Sequence, residues 1–139
     1  MSRWLAACLV VLVAGCAAAP VERGSPAQAR LSEAQARAAA FARSGDYAGA
    51  ARFYAEALRI ATSLENADAI AANALNLSIV DQWLGRDAEA RAALTAVLDE
   101  PRAGFSERRK TQAELRRAIL EAASGDLGAA EVWAGEAER

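Results

Sequence analysis

Gly45, Gly85 and Gly125 stand 40 residues apart, and no other feature limits so strongly what this chain can fold into. The agreement runs past the glycines. Asp46, Asp87 and Asp126 follow them, Ala50, Ala90 and Ala130 lie five residues beyond, and Ala57, Val97 and Ala137 lie twelve beyond. A period of this length, flanked by apolar residues at helical spacing, marks a repeated supersecondary unit. The unit reads as a helical hairpin used three times: glycine takes the left-handed conformation that closes one helix, and aspartate caps the free N–H groups that open the next. Alanine at the crossings lets the paired helices approach closely, while Tyr54, Leu58, Leu94 and Leu98 fill the wider space further along. Ser32 with Gln35 offers a capping box for the first helix, Ser106 a cap for the fifth, and Pro101 with Gly104 a break between the second and third hairpins. The expected fold is all-α, a stack of about three hairpins with helices near 32–44, 47–63, 67–84, 88–99, 107–123 and 127–137.

Composition agrees and narrows the chemistry. With 39 alanines against three prolines and nine glycines in 139 residues, long helices fit and many short strands do not. The chain has no histidine, which excludes histidine-ligated zinc sites, Ser-His-Asp triads and Cys-His dyads. An enzyme would have to rely on carboxylates, Lys110, arginines or hydroxyls. The carboxylate pairs Asp99–Glu100 and Glu136/Glu138 sit at helix ends or the chain terminus, with no apolar pocket evident to raise a pKa. No catalytic residue and no metal are expected, and the chain reads as a non-enzyme. A formal charge of −2 gives no basic field for nucleic acid.

The first residues read as an address. Met1-Ser2-Arg3 carries one positive charge, and Trp4 to Val13 forms an apolar stretch too short for a bilayer-spanning helix of about 20 residues. Leu12-Val13-Ala14-Gly15-Cys16 follows directly and resembles the lipobox of bacterial lipoproteins. The resemblance implies cleavage before Cys16, a diacylglycerol on its thiol and an N-acyl chain on its new amine, with no other cofactor. Three acyl chains hold far more firmly than the marginal grip of one. Ala17, in place of the aspartate that retains many such proteins in the inner membrane, favours the periplasmic face of the outer membrane. Two other readings remain: an uncleaved membrane anchor, and cleavage at Ala17-Ala18-Ala19 giving a soluble periplasmic product. Cys8 lies within the signal and leaves with it. The division is thus 1–15 signal peptide, 16–30 lipidated N-terminus and flexible tether with Pro20, Gly24, Ser25 and Pro26, and 31–139 helical repeat domain.

Gly45-Asp46-Tyr47-Ala48-Gly49-Ala50-Ala51-Arg52-Phe53-Tyr54-Ala55-Glu56-Ala57-Leu58 resembles the turn and second helix of a tetratricopeptide repeat. Asn76, Leu77, Leu84-Gly85-Arg86, Glu89-Ala90 and Leu94 repeat the pattern, and Ala118 to Ala137 keeps the Gly-Asp turn and two alanines. The period of 40 departs from the usual 34, and no proline closes the first hairpin. The resemblance implies a right-handed solenoid stack of the six helices, with a protein or peptide partner held by the first helix of each pair. That face would carry Gln35, Ala39 and Arg43, then Asn76, Ile79, Gln82 and Trp83, then Gln112, Arg116 and Ile119. Trp83 reads either as a binding anchor or as a core residue at helical spacing. Asn76 reads either as a ligand contact or as a partner for helix backbone. Some relatives clamp a terminal carboxylate, but Asn76 and Arg116 match that pattern while Gln35, Ala39 and Gln112 do not.

Two further surfaces stand out. Arg108-Arg109-Lys110 with Arg116-Arg117 would meet anionic lipid or an acidic partner, or, interleaved with Glu107, Glu114 and Glu121, form a solvated ion-paired face. The last helix, with Val132 and Trp133 and no polar cap after it, is a candidate surface for a second subunit or partner. The expected role is an envelope adaptor binding a protein segment. The alternative is an accessory subunit of an envelope assembly, secretion or pilus machine, held through its terminal or convex face.

Overall fold

The computed structural model describes residues 24–99 and 104–139. The signal peptide, Cys16 and the first part of the expected tether lie outside them, as do Glu100 and Pro101. Among the described residues the chain is all-helical, with six helices and no strand: α1 (Pro26–Arg43), α2 (Tyr47–Ser63), α3 (Ala67–Trp83), α4 (Asp87–Leu98), α5 (Glu107–Ala123) and α6 (Leu127–Ala137). None is long and apolar enough to cross a membrane.

The first helix opens six residues earlier than expected. Its capping box is Ser25 with Gln28, not Ser32 with Gln35: the Gln28 N–H donates to Ser25 Oγ at 3.2 Å and the Ser25 N–H to Gln28 Oε1 at 3.1 Å. Pro26 occupies the first turn, where its missing N–H costs nothing and its fixed φ suits a helix. Ser32 is an exposed residue within the helix.

Four connections share one turn. Phe41 O, Ala61 O, Asp81 O and Glu121 O each accept from the backbone N–H five residues on, that of Asp46, Asn66, Arg86 and Asp126, at 2.9–3.0 Å. The residue before each of those donors, Gly45, Glu65, Gly85 or Gly125, takes positive φ. This is the Schellman closure of a helix. Asp46, Asn66 and Asp126 then cap the next helix through their side chains. The second Gly-Asp pair departs from the expectation, because Asp87 lies one residue further on: Arg86 holds the cap position without a side-chain bond, and Asp87 falls in the first turn. Ser106 likewise precedes α5 without donating or accepting a side-chain cap bond. The unit of 40 is therefore built from helix-turn units of about 20, and the turn between the first two hairpins is the same as the turns within them.

Glu65 is the one non-glycine residue with positive φ (52°) among those described. A side chain in the left-handed region costs about 1–2 kcal/mol, partly offset because glycine loses more backbone entropy on folding. Glu65→Gly is expected to stabilise the fold by about 0.5–1 kcal/mol, read as a higher melting temperature, with Gly45→Ala moving it down.

Each helix packs on the next, and α5 also touches α3, less extensively than neighbouring helices pack elsewhere. One buried cluster runs from Leu31 on α1 through Ile70, Leu94 and Val97 to Phe105 and Leu120 at α5. A second gathers Ala38, Tyr54 and Val80 with Phe41 and Phe53, whose rings stack at 5.4 Å. Eleven of the nineteen buried apolar residues described are alanines, so few large side chains carry the core.

Candidate functional site

Residues three and four apart share a helix face. On α3 that rule aligns Ala72, Leu75, Asn76 and Ile79; on α5 it aligns Gln112, Leu115, Arg116 and Ile119, each 40 residues after its counterpart. The contact between α3 and α5 brings these two stripes together as the walls of a groove of about 430 Å³, with Arg109 at its rim. Leu115 and Ile119 remain 46% and 53% exposed there. Large apolar groups left this open in one place mark a contact surface more often than isolated exposed ones do.

Polar bonds fix the walls. Arg116 Nε donates to Ser78 Oγ at 3.2 Å, and its Nη2 donates to Ser78 O at 3.0 Å and Gln82 Oε1 at 2.7 Å. Ser78 is fully buried, so Arg116 satisfies a hydroxyl that α3 alone leaves without a partner. Burial lowers the Arg116 pKa from the usual arginine value. Arg109 similarly links α5 to Asp68 at 3.2 Å and donates to Gln112 Oε1 at 3.2 Å.

The structure thus brings Asn76, Ile79, Gln112, Arg116 and Ile119 into one groove, and places Gln82 where it braces Arg116. Gln35 is elsewhere, in a hollow of about 520 Å³ with Leu31, Ser32, Asn66 and Ala69. Arg43 is exposed at the end of α1, and Ala39 is half-buried. Trp83 is not a core residue: it is 57% exposed, one turn past Ile79, with its ring 4.7 Å from that of Tyr47. The asparagine that satisfies helix backbone is Asn73, whose Nδ2 donates to Ala69 O at 2.7 Å, and not Asn76. Leu75, Leu115 and Arg109 also line the groove; the repeat offset of 40 applied to α3 would have found Leu115.

Three of the five residues of the basic cluster are ion-paired, and a fourth, Arg116, bonds the neutral Ser78 and Gln82. Lys110 meets Glu107 at 3.0 Å, Arg109 meets Asp68, and Arg117 meets Glu121. Glu121, however, is no surface acid. It is buried, and Arg91 from α4 donates to both its oxygens at 3.1 Å. On α6 no residue is buried, and Leu127 and Val132 are 65% and 62% exposed, while Arg117 lies over the Trp133 ring. Among the described residues no group of three or more His, Cys, Asp or Glu is placed to hold a metal ion.

No family model, curated protein or solved structure matches this chain.

Proposed function

We propose that this chain is a lipid-anchored adaptor of the bacterial envelope. In this reading Cys16 is acylated and holds the protein on the periplasmic face of the outer membrane. The six helices form three stacked tetratricopeptide-like hairpins, and the domain binds a protein segment without performing chemistry. The observation that carries the binding role is the groove between α3 and α5. Leu75, Ile79, Leu115 and Ile119 line two parallel stripes at helical spacing, and the last two are left about half exposed. An extended or helical segment presenting apolar side chains at matching intervals would cover them.

Photo-crosslinking in cells from Ile79 or Ile119 is expected to capture a discrete partner, and Ile119→Asp to weaken that capture about tenfold or more by placing a charge against the apolar wall. Equal capture from scattered surface positions would remove the groove from consideration. The anchor has its own test. Mass analysis of the mature N-terminus is expected to give a triacylated Cys16, and an unmodified chain beginning at Pro20 would refute it.

A second reading, an accessory subunit that buries its last hairpin against a larger assembly, draws on exposed Leu127 and Val132 on α6. Crosslinks that cluster at Val132 and spare Ile79 would favour it.

A further inference from the structure

The repeat places a buried acid at the same position twice. Asp81 and Glu121 stand 40 residues apart, each four residues before a turn glycine, and are 5% and 6% exposed. Their surroundings differ. Glu121 receives Arg91 from α4 and Arg117 from its own helix. The residues 40 positions before those arginines are Ala51 and Leu77. Asp81 therefore keeps only Arg86, whose Nη1 is 3.8 Å from Oδ1, beyond hydrogen-bond reach. Among the described residues no donor bonds to its carboxylate.

Ala51 and Leu77 border a hollow of about 450 Å³ between α2 and α4, and Asp81 lines it too. No fully buried side-chain nitrogen or oxygen described in the protein lacks a partner, so the unbonded Asp81 oxygens reach solvent through this hollow. Ala51, Ala55, Ala92 and Ala93 form much of its wall and leave width for a slender aliphatic stem. Glu89 adds a second negative charge beside Asp81, and the two acids share the hollow with two arginines, Arg86 and Arg52. Arg52, also at the hollow, lies over the Phe53 ring at 4.9 Å from its centroid. Burial, with Glu89 adding to it and Arg86 opposing, raises the Asp81 pKa from the ordinary aspartate value, as it does for a carboxylate short of donors.

We propose that the hollow between α2 and α4 receives an arginine side chain from a partner protein, its guanidinium meeting Asp81 as Arg91 meets Glu121. The internal precedent selects the ligand. At the equivalent acid the planar Arg91 guanidinium turns Nε to both oxygens and sets Nη2 3.1 Å from Oε2 while that nitrogen also donates to Ser124 Oγ, a spread of donors that a point-charge ammonium does not reproduce. The arginine stem lies on alanine, and the charged head reaches the one buried carboxylate without a donor among the described residues. This surface shares α3 with the α3/α5 groove but none of its lining residues, and stands whether or not that groove is occupied.

The test titrates n-propylguanidinium into the full chain with alanine methyls labelled for NMR. Saturable shifts are expected at Ala55 and Ala92, with affinity about tenfold lower in Asp81→Asn. No saturable shift, or an unchanged affinity in Asp81→Asn, overturns the site. Binding of n-propylammonium as tight as that of n-propylguanidinium overturns the assignment to arginine. Ala51→Arg supplies an internal guanidinium at the place equivalent to Arg91 and is expected to block the probe without lowering the melting temperature. A folded Ala51→Arg protein that binds the probe normally counts against the proposal, and Asp81→Asn decides the matter should Ala51→Arg fail to fold. A partner recovered with the wild-type chain should lose about tenfold in affinity both with Asp81→Asn and on replacement of one of its own arginines by alanine. Self-association that Asp81→Asn abolishes would make the occupant a second copy and overturn the assignment to a different protein.

Discussion

Leu94→Ala is expected to lower the stability of the helical domain by about 3 kcal/mol. Leu94 is fully buried on α4 within the cluster that links α1 to α5. Its neighbours in that cluster include Ala57, Ala61, Ala71, Ala74 and Ala90, and small side chains on rigid helices have little with which to fill the space a leucine leaves. The cost therefore includes a cavity as well as the lost transfer of methylenes from water. A domain of about 110 residues has roughly 5–15 kcal/mol in all, so the single change removes a large part. Chemical denaturation should show a lower midpoint with the slope preserved. Leu58→Ala, at a half-buried position on α2, is the control and should cost about 1 kcal/mol. Equal losses at the two sites would contradict the core described here.

Glu121→Ala is expected to cost about 2–3 kcal/mol. Removing one member of a buried ion pair leaves the other charges uncompensated, at up to about 3–5 kcal/mol. Here Arg91 and Arg117 are each 24% exposed and regain part of their hydration, which brings the figure down. The pH dependence carries a sign. Burial pushes the Glu121 pKa up, but the hydrogen bonds and charges of Arg91 and Arg117 outweigh it and hold the carboxyl below the ordinary glutamate value. The folded state thus favours the ionised form, so this contribution is present above the ordinary glutamate pKa and is lost as pH falls through the depressed one. Asp81 behaves oppositely. Its raised pKa means the fold favours the neutral acid, a preference present below the ordinary aspartate value and lost as pH rises through the raised one. Thermal melts from pH 3 to pH 8 should show Glu121→Gln losing most of its deficit in acid, while Asp81→Asn is more stable than the parent at neutral pH. Parallel melting curves for both variants would refute the two assignments.

Much of the fold was legible because glycine and aspartate act locally. Gly45 and Asp46 close one helix and open the next through bonds within six residues, so their signal survives without knowledge of the core. Glu65 carries no such signal. Its turn forms because α2 and α3 pack on each other, and tertiary contact overrides the residue's preference. Pro26 misled for a related reason: proline marks a tether or a helix start equally well, and Ser25 with Gln28 decides between them. At the groove, the resemblance to a tetratricopeptide repeat implied Asn76, Ile79, Gln112, Arg116 and Ile119, while Trp83 could be placed only by seeing that it lies beside Tyr47. Glu121 was read as solvated because Glu107, Glu114 and Glu121 share helical spacing. Its burial depends on Arg91, 30 residues away on another helix, and charge spacing along one helix cannot reveal that.

The joint between the second and third hairpins adds arginine bonds to the apolar cluster that carries Leu94 and Val97 on to Phe105 and Leu120. Arg91 reaches Glu121, Arg109 reaches Asp68 and Arg116 reaches Ser78 and Gln82, where the first two hairpins meet through a shared turn and apolar packing. Dissolved ions compete with such bonds, whereas they leave apolar contact largely intact. The third hairpin is accordingly the part of the fold that ionic strength can loosen, and guanidinium chloride should release it sooner than urea of equal denaturing power. The α3/α5 groove spans that joint. One of its walls belongs to the apolar body of the domain and the other is held in part by charge, which makes its width a property of the surrounding electrolyte as well as of the chain.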